Sequence, residues 1–392
     1  MRVEGDFIKI NKWLLPLSAL YGTAIKLRNM AFELGILKSR SFDVPVISVG
    51  NITVGGTGKT PHVEYLVKHL KDLFHVAVLS RGYKRKSKGF IIATPDTTMP
   101  EIGDEPFQMK KKFPNVTIAV DKSRCHGIDK LTDNDKTLDV ILLDDAFQHR
   151  YVKPGINILL VDYHRLVIYD TLLPAGRLRE PLSGKDRADI VIITKCPKDL
   201  KPMEFRVITK AMSLYPYQQL FFTTLEYGEL NPIFGDFGEL RELKNLKDYH
   251  ILLLTGIASP EQMTHDLTPL VKDITPLTFA DHHRFKAKDI QLINETFDQI
   301  PQPCCVITTE KDATRLYDIE GLSEEVRKNI YTLPVNIRFM QKQEDTFNQH
   351  IISYVRKNSR NSILAKTKDD HKPQDSHHSG DRPRTISFRD NR

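Results

Sequence analysis

Apolar residues in this chain gather into short unbroken runs rather than alternating with polar ones. The runs at 44–49, 76–79, 116–120, 140–143, 158–161 and 190–194 each read as a strand buried on both faces. Helix-length segments separate them, the rhythm of a parallel sheet with helices on either side. A polar, turn-rich stretch at 226–247, with Gly228, Pro232, Gly235 and Gly238, interrupts that rhythm, which resumes at 251–254, 306–309 and 331–335. The pattern predicts an α/β fold with a parallel-sheet domain at 41–225, a linker at 226–247 and a smaller α/β domain at 248–356.

Residues 1–40 are patterned differently. Leu17, Leu20, Ala24, Leu27, Ala31 and Leu34 recur at helical spacing, among seven basic residues (Arg2, Lys9, Lys12, Lys26, Arg28, Lys38, Arg40) and three acidic ones. The uncharged run 13–25 contains Pro16 and Gly22 and falls short of the about 20 residues needed to span a bilayer. A basic amphipathic helix suits a membrane surface. It equally suits a helix packed on the core with its charged face in water, and spacing leaves both open. From 357 onward the chain is polar and should be disordered, because it has too little apolar surface to offset chain entropy.

Composition narrows the reading only slightly. The chain has 392 residues, 40% of them hydrophobic, enough for a sizeable core. Its 57 basic and 50 acidic residues leave +7, which alone does not choose between an anionic substrate, a phospholipid surface and nucleic acid. The basic excess lies partly in the first forty residues, and no aromatic-interleaved basic stripe is present, which speaks against nucleic acid. Four cysteines without a CxxC pair argue against a disulfide framework or zinc site.

The chemistry concentrates after the first run, in Gly50-Asn51-Ile52-Thr53-Val54-Gly55-Gly56-Thr57-Gly58-Lys59-Thr60. A glycine-rich loop between strand and helix turns backbone N–H groups toward phosphate oxygens, with the positive end of the helix dipole behind them. Lys59 would reach the β- and γ-phosphates, and the Thr60 hydroxyl would sit on Mg²⁺. Thr53 stands where the usual pattern has glycine. The run at 140–143 ends in Asp144-Asp145, two adjacent carboxylates at the strand edge where α/β sheets bind ligands. They repel each other unless a cation lies beside them. The fold class is therefore a P-loop NTPase-like sheet domain with a second, smaller α/β domain and an N-terminal surface helix.

Further polar clusters stand at other strand ends or loops: Ser80-Arg81-Gly82-Tyr83, Gly103-Asp104-Glu105-Pro106, Asp121 to Arg124, Ala146-Phe147-Gln148-His149-Arg150, Leu173 to Pro181, Asp281-His282-His283 and Thr309-Glu310-Lys311-Asp312-Ala313. All but Asp121 to Arg124, together with the loop, Asp144-Asp145 and Gly256-Ile257-Ala258, occur in the order of the tetraacyldisaccharide 4′-kinase family, which this chain resembles from about 10 to 345. Two departures are small: Ala146 stands where the family usually has glycine, and Arg177 where it often has proline.

The resemblance implies transfer of the ATP γ-phosphate to the 4′-hydroxyl of a tetraacylated glucosamine disaccharide 1-phosphate, in lipid A synthesis. It implies a site in the cleft between two domains and a monotopic enzyme on the cytoplasmic face of the inner membrane, with 1–40 as its amphipathic membrane-associating helix. Thr53, Val54, Gly55, Gly56, Thr57, Gly58, Lys59 and Thr60 would bind ATP; Thr60, Asp144 and Asp145 would hold Mg²⁺. Asp104 would be the base, assisted by His282, with Lys59 the third catalytic group. Arg81, Arg124, Gln148, Arg179, Glu180 and His283 would position phosphates and sugar. The implied partners are the lipid acceptor and the membrane surface, with no nucleic acid and no obligatory protein. A P-loop GTPase or ATPase switch, or a metal-insertion NTPase, would share the loop and the acids. A guanine reader would need an Asp that Thr194-Lys195-Cys196-Pro197 lacks.

Overall fold

A computed structural model describes residues 10–235, 242–257, 260–281, 283–317 and 319–359. Its strands in chain order are β1 (Val46–Gly50), β2 (Val76–Ser80), β3 (Ile91–Ile92), β4 (Thr117–Val120), β5 (Val140–Asp144), β6 (Ile156–Asp162), β7 (Ile190–Thr194), β8 (Gln219–Tyr227), β9 (Asn231–Pro232), β10 (His250–Thr255), β11 (Asp273–Thr278), β12 (Cys304–Thr309), β13 (Ile330–Leu333) and β14 (Val335–Phe339). The helices are α1 (Leu15–Glu33), α2 (Lys59–Leu70), α3 (Met99–Ile102), α4 (Asp104–Lys112), α5 (Arg124–Asn134), α6 (Pro202–Met212), α7 (Glu261–Leu267), α8 (Ala287–Asp298), α9 (Glu310–Leu316), α10 (Glu324–Asn329) and α11 (Glu344–Asn358).

The larger sheet runs β14-β8-β7-β6-β1-β5-β2-β4-β3, parallel except where β3 meets β4 and β14 meets β8. Every residue of β1, β2, β5 and β7 is buried, as expected of strands covered on both faces. Val63, Leu66 and Leu70 of α2 and Phe347, Ile351 and Val355 of α11 pack on one face. Ile128 and Leu131 of α5 and Phe205, Ile208 and Met212 of α6 lie in the clusters on the other. The chain leaves β1 toward β2 and β4, returns through β5, then crosses to β6 on the far side of β1. That reversal opens a crevice at the carboxyl end of β1 and β5, where an open α/β sheet binds its ligand.

The smaller sheet runs β11-β10-β12-β13-β9, parallel apart from β9. Its extent differs from the expected 248–356. After β13 the chain passes Pro334 and re-enters the larger sheet as β14, paired antiparallel to β8 from Tyr227↔Val335 to Phe339↔Thr223. The apolar run expected at 331–335 divides there because proline has no N–H for the ladder. Helix α11 then joins the core of the larger sheet, to which its apolar face belongs. The stretch at 226–247 is also more than a linker: β9 pairs with β13, and Leu230 and Leu246 are fully buried in the smaller unit. Residues 236–241 and 360–392 lie outside the described residues; of the tail expected from 357, Lys357 and Asn358 instead end α11 and Ser359 is buried.

Helix α1 faces the protein with the small residues Ser18 and Gly22 and, near its end, Phe32, and turns its leucines outward. Ser18, Gly22 and Phe32 are buried, whereas Trp13, Leu17, Leu20, Leu27 and Leu34 are exposed. The reason is close approach: a β-carbon on Gly22 would come within 2.5 Å of Leu172 Cδ1. The Ser18 hydroxyl donates to the Leu172 carbonyl (3.0 Å) and accepts from the Ala175 amide (2.9 Å). No described helix is long and apolar enough to cross a membrane.

Candidate active site

The glycine-rich loop leaves β1 and enters α2 at Lys59, with Gly58 as N-cap at φ +80°, a left-handed conformation that glycine adopts without steric cost. Its outer side is tied down. The Lys195 ammonium donates to the Gly56 carbonyl and pairs with Asp162 at 2.9 Å, and the Thr194 hydroxyl donates to the Thr57 carbonyl at 3.0 Å. The dipeptide that fails as a guanine reader thus braces the loop. Asn51 bonds the Thr57 hydroxyl (2.8 Å), and the Val54 amide donates to the Arg177 carbonyl (2.9 Å). Below, His62 reaches the Gly58 carbonyl through Nδ1 (2.7 Å) and the Thr223 hydroxyl through Nε2 (3.1 Å). Burial lowers its pKa to about 4, so the ring is a neutral strut. The first-turn amides of α2 have no intrahelical acceptors, which suits a phosphate.

Val49 of β1 pairs with Asp144 of β5, so the two acids stand beside the root of the loop. Asp144 is fully buried. Its Oδ2 accepts from Ser80 Oγ at 3.3 Å, and its Oδ1 has no hydrogen-bond partner. Burial, then Glu105, then Asp145 raise its pKa to about 7, against the lowering influence of Lys59 and Arg124. Asp145 follows with φ +47°, a strained conformation of the kind that collects at functional sites. Its Oδ1 faces Lys59 Nζ at 3.4 Å without a hydrogen bond, and its Oδ2 lies 3.7 Å from Arg179. Two buried carboxylate oxygens without hydrogen-bond donors, Asp144 Oδ1 and Asp145 Oδ1, form a donor set that fits Mg²⁺, which takes few carboxylates and keeps phosphate and water ligands. Among the described residues no group of three His, Cys, Asp or Glu side chains converges.

Asp104 is the first residue of α4, whose N-cap is Gly103 and has no side-chain cap. Its carboxylate turns instead to Arg315 of α9, accepting from Nε at 3.1 Å and Nη2 at 2.6 Å on Oδ2. The neighbouring Glu105 is near enough to Asp144 to raise it, which brings the start of α4 to the two acids. Gly103 (φ +91°) permits this: a β-carbon there would meet the Tyr83 carbonyl at 2.8 Å, so the loops around Arg81 and Asp104 touch backbone to backbone.

The other sequence-derived positions divide. The Gln148 amide donates to the Asn51 carbonyl and to Glu180 (3.1 Å), and Glu180 is buried against Arg187 at 2.7 Å. Arg179 is anchored by its backbone to Ile52 (2.8 Å) and its guanidinium faces Asp145. Arg81 is exposed at the end of β2. Arg124 is buried under the acids, donating to the Asp121 (3.2 Å) and Asp144 (3.0 Å) carbonyls, and burial lowers its pKa to about 10. It braces strand ends. His283 bonds Asp289 at 2.9 Å and stacks on Phe279, a structural pairing at the start of α8. His282 lies outside the described residues. Ser80 and Glu105 stand in clusters that the sequence singles out but had no role assigned, and Arg315 was missed. The last had a local signal: Asp312 and Arg315 form an i, i+3 pair on a helix capped by Thr309.

Residues 10–356 match the family described as tetraacyldisaccharide-1-P 4′-kinase. The chain belongs to that family. It is 60% identical over 365 residues to the tetraacyldisaccharide 4′-kinase of Phocaeicola vulgatus, covering 92% of this chain and 99% of the relative. It is 44% identical over 357 residues to the enzyme of that name from Porphyromonas gingivalis, covering 89% and 99%. Among solved structures it is similar to LpxK from Aquifex aeolicus in complex with ATP, with 32% identity, TM-score 0.68, and coverage of 88% of this chain and 99% of that one. The family thus extends over both sheets and over each motif placed at the crevice.

Proposed function

We propose that this chain is the ATP-dependent kinase that phosphorylates the 4′-hydroxyl of a tetraacylated disaccharide 1-phosphate, a step of lipid A synthesis. One observation supports this above others: Lys59 faces Asp145 at 3.4 Å and Glu105, next to Asp104 at the start of α4, is close enough to Asp144 to raise its pKa, within a chain that matches the family over both units. The loop amides and Lys59 bind the triphosphate. Thr60, Asp144 and Asp145 would hold Mg²⁺, with Glu105 close to Asp144, and the ion would supply positive charge against the phosphates. Asp104 takes the acceptor proton as the new P–O bond forms and the γ-phosphorus bond to the β,γ-bridging oxygen breaks, releasing ADP. Arg179, carried by the strap from 173 to 181, is placed for anionic groups of donor or acceptor. Purified protein given detergent, Mg-ATP and acylated disaccharide 1-phosphate should yield the bisphosphate. ATP hydrolysis without transfer to any acylated acceptor would overturn the assignment.

The acid pair makes its own pH prediction. Protonated Asp144 cannot ligate a cation. Because its pKa is raised to about 7, Mg²⁺ uptake by the nucleotide-free protein should release protons and tighten as pH rises through that value. Calorimetry in buffers of different ionisation enthalpy measures the release. Proton uptake, or affinity independent of pH from 6 to 8, contradicts the assignment.

The acceptor is a lipid, and α1 is built to meet its membrane. Trp13 is 94% exposed and Leu20 71%, on a stripe shared with Leu17, Leu27 and Leu34 and flanked by Lys12 and Lys26. We read the enzyme as peripheral on the cytoplasmic face of the inner membrane, with apolar burial and lipid charge acting together. Trp13 is the only tryptophan in the chain, so its emission reports on this face alone. Anionic vesicles should shift it to the blue. Leu20→Glu should weaken binding at least about tenfold, since one buried leucine contributes roughly 1.5–3 kcal/mol. An unshifted spectrum would place the lipid contact elsewhere.

A further inference from the structure

Arg315 comes from the smaller unit, 211 residues along the chain from the carboxylate it holds. Its side chain is 2% exposed, and each part of its guanidinium is used. Nη1 donates to Asp312 Oδ1 at 2.7 Å, while Nε and Nη2 both fall on Oδ2 of Asp104. Asp312 is fully buried and otherwise satisfied, by the Gly256 amide at 2.8 Å and the Thr309 hydroxyl at 2.7 Å. The glycine of Gly256-Ile257-Ala258 is explained by the same cluster, because a β-carbon would come within 2.9 Å of Asp312 Oδ1. A second bridge secures the other end of α4: Lys112 pairs with Glu64 of α2 (2.7 Å) and Glu310 of α9 (2.8 Å). Helix α4 is therefore fastened to α9 at its first and last turns.

We propose that Arg315 is a positioning residue for phosphoryl transfer, delivered by the smaller unit to fix the orientation of the Asp104 carboxylate at the crevice. The proposal rests on the reading of Asp104 as the base. A carboxylate at the first turn of a helix has several rotamers. A planar guanidinium that donates two bonds to one oxygen, and is itself held by Asp312, selects one of them. Asp312 gives Arg315 a buried counter-charge, so its stem and head are fixed before any substrate arrives. The phosphate loop and the acid pair belong wholly to the larger unit. The orientation of the base depends on the smaller one, so the two units must be in contact for the reacting groups to be aligned.

The test is steady-state kinetics of full-length Arg315→Lys, which keeps the charge but loses the two-donor geometry. Its kcat should fall by about tenfold or more, as expected for misplaced catalytic groups, with the ATP KM within about twofold. Combining it with Asp104→Asn should cost less than about twofold beyond Asp104→Asn alone, since residues acting through one another are not additive. Arg315→Met paired with Asp312→Asn removes the charge without leaving a buried carboxylate unpaired, and should show the same kcat loss at near-normal melting temperature. Arg315→Lys with wild-type kcat, or a loss that simply multiplies with that of Asp104→Asn, overturns the positioning role and leaves the base assignment standing. An active Asp104→Asn removes the base assignment itself, and this inference with it.

Discussion

Asp104→Asn should lower turnover at least about a hundredfold, the usual scale for removing a general base, with melting temperature and ATP binding close to wild type. The structure separates this outcome from a folding effect. Gly103, not Asp104, caps α4, so the helix start does not depend on the carboxylate. Asparagine retains an oxygen that can accept from Arg315, so the link between α4 and α9 survives in weakened form. What it cannot do is take a proton from the acceptor hydroxyl. Single-turnover transfer, measured beside equilibrium binding of an ATP analogue, distinguishes chemistry from binding. Turnover within a few-fold of wild type would return Asp104 to a structural ion pair and direct attention to Asp145.

Lys59→Ala should abolish measurable transfer, a loss of about a thousandfold if its ammonium stabilises charge on the transferring phosphoryl group. Stability should barely change. The lysine makes one 3.4 Å ion pair with Asp145, a pairing without hydrogen-bond geometry, and Arg179 remains on that carboxylate's other oxygen. Lys59 is also among the groups that lower the Asp144 pKa, so its removal raises that pKa further. At neutral pH the variant should therefore bind Mg²⁺ more weakly than wild type and recover part of that binding at higher pH. A melting temperature reduced by many degrees, with transfer merely slowed, would make Lys59 a structural residue.

The sequence alone determined the elements whose causes are local. Buried parallel strands read as unbroken apolar runs, because both their faces are covered. The phosphate loop and the Asp144-Asp145 step were visible because a strand, a turn and a helix start need particular residues within a dozen positions. The bonds that assemble the crevice cross long stretches of chain and leave little local trace. Strand β14 and helix α11 return to the larger sheet because its β8 edge and open apolar face can take them, a fact about β8 rather than about residues 335–358. The leucine stripe of α1 has a helical period whether it meets core or lipid. The contact of Gly22 and Ser18 with Leu172 turned it outward. Arg124 and Arg179 looked alike as loop-flanking arginines. Burial under Asp144 made one a brace, and proximity to Asp145 left the other at the crevice. Asp104 and Arg315 met only through the docking of α4 on α9, since periodicity reports which face of an element is apolar and not which element it will face.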